Sequence, residues 1–204
     1  MLIPLDTLIR EHGVQPGPVL HVGAHLGEEA ADYYRLRFGP VHWVEANADL
    51  IDQLKLRVRP YAGKVVRAVP SFIADVPVTL HLASNGQSSS LLELGTHATE
   101  HPEVTYVGQK YLVTTTVDKL LTERVITQAT FVNIDVQGTE LDVLRGATTF
   151  LEGVSALYLE VNERELYKGC ALLPEVDQWL SGRGFTRVAT HMTNHGWGDA
   201  LYVR

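Results

Sequence analysis

The stretch VLHVGAHLGEEA, Val19 to Ala30, decides the fold. A mainly apolar run over Val19–Val22 is followed by Gly23 and Gly27 and then by helix-forming residues. This pattern predicts a buried strand, a tight glycine turn and a helix over 27–38. Glycine turns let a ligand approach the backbone closely. The stretch itself leaves the ligand open between a dinucleotide, a nucleoside triphosphate and a sulfonium cofactor.

Strands and helices alternate outward from this stretch. The patterns predict strands over 41–46, 63–69, 76–84, 111–117, 129–136, 155–161, 184–190 and 198–204. They predict helices over 4–11, 48–58, 139–151 and 173–181, and a short helix beginning at Asp118. Alternation indicates an α/β fold with a mostly parallel, doubly wound, twisted sheet. Only a short loop, 190–198, separates the last two strands, so we expect a C-terminal antiparallel hairpin.

Neither a repeat nor a linker divides the chain, so we expect one domain over 1–204. Residues 1–17 are expected to form an N-terminal helix and lead-in, and 72–117 a substrate-side insertion. The net charge of −7 and the absence of a basic run disfavour a nucleic-acid partner. No stretch reaches the roughly 18 apolar residues of a membrane span. Cys170 is the only cysteine, and the N-terminus lacks a signal-peptide pattern, so we expect a cytoplasmic protein.

An acidic residue follows the glycine turn at a meaningful distance. Glu45 ends the second strand, 22 residues after Gly23, where acidic side chains commonly accept hydrogen bonds from ribose hydroxyls. His25 stands where the dinucleotide fingerprint needs its second glycine, and Glu28 and Glu29 at the helix start would repel phosphate. A cationic, adenosine-bearing cofactor such as S-adenosylmethionine fits these observations better than NAD.

Four segments resemble the FkbM family of S-adenosylmethionine-dependent methyltransferases: VLHVGAHLGEEA, WVEANADLI, SNGQSSSLLEL and NIDVQGTELDVLRGA. The last, with Asp135, Gln137, Gly138 and Glu140, is the most specific. The resemblance implies a Rossmann-like class I methyltransferase fold and methylation of a hydroxyl on a sugar, glycan or polyketide-type small molecule. The expected cofactor-binding residues are His21, Val22, Gly23, Ala24, His25, Gly27, Glu28, Glu45, Ala46, Ala68, Asp135, Val136 and Gln137. Methyltransferases of this fold usually carry aspartate at the position of His21, so the role of His21 is open.

Methyl transfer to an alcohol benefits from a base or a charge-stabilising group. Asp135 and Glu160 each end a strand, and neighbouring strand ends share one edge of the sheet, so both are candidate catalytic residues. The expected site contains no metal. The alternative is a Mg²⁺ ion held by Asp135, Glu160 and Asn162, since all three offer hard oxygen ligands.

The polar loop after the fourth predicted strand resembles the family's active-site loop. Its Asn85, Ser88, Ser89 and Ser90 are expected to bind acceptor hydroxyls. His97, Glu100 and His101 match the zinc-protease pattern H-x-x-E-H. We interpret that match as coincidental, because Pro102 prevents the continuous helix that the pattern needs.

Two functional alternatives stay open. One is a non-catalytic S-adenosylmethionine-binding pseudoenzyme or partner subunit, and the other a nicotinamide-dependent reductase. The oligomeric state is also open, a homodimer being one option.

Overall fold

The computed structural model describes residues 1–204. In chain order its elements are α1 (Leu5–His12), β1 (Val19–Val22), α2 (Ala30–Arg35), β2 (Val41–Glu45), α3 (Ile51–Val58), β3 (Gly63–Arg67), β4 (Pro77–Ala83), α4 (His97–Glu100), β5 (Tyr106–Val113), α5 (Val117–Thr122), β6 (Phe131–Ile134), α6 (Glu140–Arg145), a 3-10 turn (Phe150–Gly153), β7 (Ala156–Asn162), α7 (Leu173–Ser181), β8 (Thr186–Met192) and β9 (Trp197–Val203). Not one of the helices has the length and apolar character needed to cross a membrane.

Seven strands form one sheet in the order β3-β2-β1-β6-β7-β9-β8. The first five of these are parallel neighbours, whereas β9 runs antiparallel to both β7 and β8. The predicted mostly parallel sheet and its antiparallel C-terminal hairpin are therefore confirmed. The strand order reverses at β1, which lies between β2 and β6. Open α/β sheets bind ligands at such a switch point, beyond the carboxyl ends of the strands.

Each face of the large sheet carries its own apolar core. On one face α5, α6 and α7 contribute side chains such as Leu120, Leu144 and Leu180 to a cluster of 26 buried residues. On the other face α1, α2 and α3 contribute to a cluster of 17 buried residues that includes Tyr33 and Trp43. Burial on both faces explains why β1, β2, β6 and β7 are buried at every position.

Three predicted helices are shorter than expected, and the one predicted over 48–58 begins only at Ile51. The helix predicted over 27–38 begins only at Ala30, because Gly27 is in the left-handed region with φ 70°. The helix predicted over 139–151 divides into α6 and the 3-10 turn. There the Asp118 carboxylate accepts hydrogen bonds from the backbone N–H groups of Thr149 (3.0 Å) and Phe150 (2.8 Å), which a continuous helix would need for itself.

The segment between β3 and α5 forms a separate two-stranded antiparallel sheet, β4 and β5. The strand predicted over 111–117 is wrong in its bounds, since β5 runs from Tyr106 to Val113. After Val113 the chain no longer pairs with β4 and instead forms hydrogen bonds with the loop that precedes β4. The Thr114 hydroxyl donates to the carbonyl of Ile73 at 2.7 Å and accepts from the N–H of Val76 at 3.1 Å.

The glycine turn after β1 brings two strand ends into contact. Gly23 has φ 83°, and its N–H donates to the carbonyl of Val44 at 2.9 Å. A Cβ atom at Gly23 would overlap the backbone carbonyl of Asp135, which follows β6. Only glycine therefore allows β1 and β6 to meet in this way.

A matched pair of alanine variants tests this constraint. Gly23→Ala and Gly169→Ala both place alanine at a similar positive φ (83° and 76°), but only Gly23 faces a backbone atom, whereas the space around Gly169 is open. The left-handed conformation costs about 1–2 kcal/mol in either variant. We expect Gly23→Ala to lose a further 1–3 kcal/mol of unfolding free energy in urea, because the overlap displaces backbone. Equal losses in the two variants would contradict the proposed contact.

Candidate functional site

Two adjoining cavities open at the carboxyl ends of β1, β2 and β6, at the switch point of the sheet. The larger has a volume of about 460 Å³, and the narrower lies beside β2. Both are lined by Gly23, His25, Gln87, Asp135 and Gln137. Neither cavity has a lysine or arginine in its lining. Besides protonatable histidines, the positive group at the combined site is the N-terminal ammonium of Met1, which lies 3.7 Å from Glu29 in the larger cavity.

Glu45 is fixed at the wall of the narrower cavity. Its side chain accepts hydrogen bonds from the N–H groups of His25 (2.8 Å) and Asn47 (2.7 Å). Burial raises the pKa of Glu45, although these two hydrogen bonds act in the opposite direction. Each carboxylate oxygen keeps a further lone pair. The two loops after β1 and β2 therefore hold an acceptor group in place beside the narrower cavity.

His21 lies beneath the glycine turn, on the floor of the larger cavity. It is 3% exposed and packs against Trp43, with ring centroids 5.3 Å apart. Its Nδ1 is 3.3 Å from the Tyr33 hydroxyl, and its Nε2 is 3.5 Å from the Asn133 amide. Burial lowers the pKa of His21. The lowered pKa favours the neutral ring, which has one acceptor nitrogen but not the negative charge of a carboxylate.

Gln137 joins the two predicted catalytic carboxylates. Its side-chain amide nitrogen donates to Asp135 Oδ1 at 2.6 Å and to Glu160 Oε2 at 2.7 Å. The Tyr167 hydroxyl donates to the amide oxygen of Gln137 at 2.6 Å, and the Ser90 hydroxyl donates to its backbone carbonyl at 2.6 Å. With its amide and its carbonyl both engaged, Gln137 holds the carboxylates in one arrangement.

A third carboxylate, Glu140, completes an acidic group. Carboxylate oxygens of Asp135, Glu140 and Glu160 all lie within 4.8 Å of one another. Burial raises the pKa of Glu160 well above its usual value, and the charges of Asp135 and Glu140 raise it further. Burial likewise raises the pKa of Glu140. Like charges at this spacing cannot all remain ionised without a cation.

The alternative metal set of Asp135, Glu160 and Asn162 stays a prediction, and the structure adds Glu140 as a third carboxylate close to Asp135 and Glu160. Asn162 is buried, and its side-chain amide has no hydrogen-bond partner. A hard divalent cation would find its oxygen ligands on Asp135, Glu140 and Glu160. It would have to displace the Gln137 amide, which already donates to two of them.

Comparison with known proteins places this geometry in a family. The sequence model of the family described as "Methyltransferase FkbM domain" matches residues 21–187. The chain belongs to the FkbM methyltransferase family. Among curated proteins, none matches the sequence.

Solved structures share the fold. The methyltransferase FkbM of Methylobacillus flagellatus KT superimposes with a TM-score of 0.64 at 15% identity, covering 99% of this chain and 48% of that one. This chain thus spans about half the length of that relative. The magnesium protoporphyrin IX methyltransferase of Synechocystis PCC 6803, solved with bound S-adenosylmethionine, has a TM-score of 0.54 at 11% identity, with coverages of 98% and 77%. The predicted Rossmann-like class I methyltransferase fold is confirmed.

Most of the residues predicted for the site of this family member line the two cavities. The larger cavity is lined by His21, Gly23, Ala24, His25, Glu28, Asn85, Ser88, Asp135, Gln137 and Glu160. The narrower one is lined by Val22, Gly23, His25, Glu45, Ala46, Ala68, Ser89, Asp135, Val136 and Gln137. Their binding roles remain predictions, but the fold brings them together.

Two predicted site residues lie elsewhere. Gly27 lines neither cavity, and its α-carbon instead faces Trp43, Leu54 and Val58 in the apolar core. Its glycine character is explained by helix–sheet packing. Ser90 is 1% exposed and lines neither cavity, because its hydroxyl is turned toward the Gln137 carbonyl. Ser90 therefore supports Gln137 and does not face either cavity.

Sequence reasoning missed several polar residues that line the larger cavity. Asn133 lies within β6, and the Tyr158 hydroxyl donates to the buried Asp199 carboxylate across β7 and β9. Asn133 and Asp199 interrupt strands that are otherwise buried and apolar. A polar side chain in a buried strand needs a partner, and that interruption was the available signal.

The pKa shift of Glu160 gives a testable pH dependence. Because folding raises this pKa, the contribution of Glu160 to stability is complete below about pH 4.5 and is lost as pH rises through the folded-state pKa. Glu160→Gln removes the titration but keeps an oxygen that can accept from Gln137. We expect the unfolding free energy of Glu160→Gln, relative to that of wild type, to be higher at pH 8 than at pH 5. The difference should be about 1.4 kcal/mol for each unit by which folding raises the pKa.

Thermal unfolding of both proteins across this pH range provides the measurement. Glu152→Gln, which changes an exposed carboxyl group on the 3-10 turn, is the matched control. A stability difference between wild type and Glu160→Gln that does not change with pH would show that Glu160 is ionised normally in the folded protein.

Proposed function

We propose that this family member catalyses S-adenosylmethionine-dependent methylation of a hydroxyl on a sugar, glycan or polyketide-type acceptor. One observation carries the proposal: two cavities without lysine or arginine join at Asp135, with Glu45 in one and Glu160 in the other. A bound phosphate or pyrophosphate would find no side-chain cation there other than histidine. A cationic adenosine compound matches both the charge and the ribose acceptor.

The narrower cavity suits the adenosine part of the cofactor. Ala46, Ala68 and Val136 supply apolar walls, and Glu45 supplies the acceptor for ribose hydroxyls. The Gly23 turn, which has no side chain, allows close backbone approach where the two cavities meet. When bound, S-adenosylmethionine supplies an electrophilic methyl group on a positively charged sulfur.

Asp135 is the proposed general base. It is exposed to the larger cavity, and Gln137 donates to its Oδ1, which leaves Oδ2 available to accept the proton of an acceptor hydroxyl. Burial and the charges of Asp135 and Glu140 raise the pKa of Glu160 well above its usual value. Glu160 therefore gives up its proton less readily than an ordinary glutamate, and the Gln137 amide joins it to Asp135.

The larger cavity is the proposed acceptor site. Asn85 and Ser88 line it and are held in a loop in which the Asn85 amide donates to the Ser88 hydroxyl at 2.9 Å. Fixed amides and hydroxyls of this kind bind sugar hydroxyl groups with little loss of side-chain freedom. Since the only cysteine, Cys170, is free and buried, we further propose the reducing cytoplasm as the site of action.

Calorimetry separates this proposal from its rivals. We expect S-adenosylmethionine to bind with a dissociation constant on the order of micromolar. NADH should show no measurable heat at the same concentrations, because its pyrophosphate meets an acidic site. Binding of NADH alone would support a reductase. Cofactor binding without transfer to any member of a glycan and macrolide panel would support a pseudoenzyme.

Substitution of the proposed base tests the mechanism. Asp135→Asn keeps the hydrogen-bonding shape but removes the base, so we expect kcat to fall about 10²–10⁴-fold in a radiolabelled methyl-transfer assay. Asp52→Asn, which changes a carboxylate whose side chain is 97% exposed on α3, is the control and should retain wild-type turnover. Near-normal turnover of Asp135→Asn would remove Asp135 from the proposed role.

A further inference from the structure

Three histidines gather at one side of the larger cavity, apart from its carboxylate group. His97 and His101 come from α4 and its C-terminal cap and line the cavity, and His195 comes from the turn between β8 and β9. The ring centroids of His97 and His101 are 5.0 Å apart, and those of His101 and His195 are 4.6 Å apart. His101 therefore stands between two other imidazoles from distant parts of the chain.

Carboxylates next to two of the rings set which nitrogen is free. Nδ1 of His195 lies 2.9 Å from Oε2 of Glu100. The other oxygen of this carboxylate, Oε1, accepts a hydrogen bond from Arg164 at 3.2 Å. Nδ1 of His101 lies 3.7 Å from Glu103 Oε1. An ionised carboxylate can only accept, so it places the hydrogen on Nδ1 of His195 and leaves the lone pair on Nε2. Histidines that bind metals almost always have such a partner on their second nitrogen.

His97 is the most enclosed of the three. It is 5% exposed, and its Nδ1 is buried without a hydrogen-bond partner. His97 and His101 are four residues apart, which puts both rings on one side of the short helix. The missing partner of His97 is unusual, because buried polar groups in proteins are normally satisfied.

The spacing of the rings fits shared coordination of one ion. With a metal–nitrogen distance of about 2.1 Å and nitrogen–metal–nitrogen angles of about 90–110°, two imidazole centroids on one ion are roughly 4.6–5.3 Å apart. The observed 5.0 and 4.6 Å lie in this range. The carboxylate oxygens of Asp135, Glu140 and Glu160 all lie within 4.8 Å of one another, but the nitrogens of the three histidine rings do not. The rings must therefore rotate to bind one ion. His101 and His195 have room for it, since their side chains are 25% and 44% exposed.

We propose that His97, His101 and His195 bind one divalent transition-metal ion of the zinc type, which ties α4 to the β8–β9 turn. Imidazole ligands select zinc, cobalt or nickel over magnesium and calcium. The H-x-x-E-H pattern then has a different meaning from the one it has in proteases. Glu100 orients His195 and is not a base on a metal-bound water, and the third ligand comes from the C-terminal hairpin.

Metal titration of the whole chain tests this site. We expect calorimetry with ZnCl₂ to give one ion per chain and Co²⁺ to give the visible absorption of a nitrogen-ligated ion, whereas MgCl₂ should not compete. His101→Ala and His195→Ala should each lower Zn²⁺ affinity at least tenfold. Glu100→Gln, which removes no ligand, should lower it about 10–100-fold. His191→Ala, an exposed histidine on β8, should bind Zn²⁺ as wild type does.

Thermal unfolding guards against variants that fail to fold. Zn²⁺ should raise the Tm of wild type and of His191→Ala but not that of a folded His101→Ala/His195→Ala variant. The proposal is overturned if wild type binds no Zn²⁺, if the double variant binds it with unchanged affinity, or if His191→Ala loses as much affinity as His195→Ala. Each of these outcomes is independent of whether the protein transfers methyl groups.

Discussion

The contact between the Gly23 backbone and the Asp135 carbonyl is the constraint on which the site depends. It brings the ends of β1 and β6 together without a side chain between them. The two cavities meet at this contact, and Asp135 belongs to both of them. A side chain at this position would overlap the Asp135 carbonyl and separate the strand ends. One glycine thus links the topology of the sheet to the shape of the site.

The neutral side chain of Gln137 fixes the positions of carboxylates in the acidic group. Gln137 donates to Asp135 and Glu160, while Tyr167 and Ser90 fix Gln137 from the other side. Tyr167 belongs to the loop between β7 and α7, and Ser90 to the loop before α4. Residues that never line the cavities therefore determine the positions of the groups that do. This arrangement places the proposed base on a rigid support, as efficient catalysis requires.

Local sequence signals predicted the parts of the fold whose causes are local. β1 and α7 have the predicted bounds. The bounds of β1 follow from an apolar run that ends at a glycine, and those of α7 follow from an amphipathic run after a loop. The division of the helix predicted over 139–151 depends on Asp118, about 30 residues away, and no local pattern reports it. The start of β5 likewise depends on pairing with β4.

For the candidate site, as for the fold, local sequence signals predicted the features that have local causes. Strand ends and glycine turns placed most lining residues, since parallel strands share an edge. The predicted roles of Gly27 and Ser90 stay untested, but only packing shows that Gly27 faces the core and that the Ser90 hydroxyl faces Gln137. The burial of Glu140, and with it the composition of the acidic group, depends on how α6 sits against β7. A family signature places the residue but does not reveal its electrostatic environment.

The raised pKa values of Glu140 and Glu160 couple ligand binding to protons. Both carboxyl groups hold a proton more tightly in the folded protein, because each is buried and each lies near the charge of Asp135. A cation entering the cavity favours their ionised forms, so its arrival releases protons to the solvent. We therefore expect the affinity for cations to increase with pH, and the heat of binding to depend on the ionisation enthalpy of the buffer. The folded protein gives up some stability by burying these acids, and a positively charged ligand recovers it.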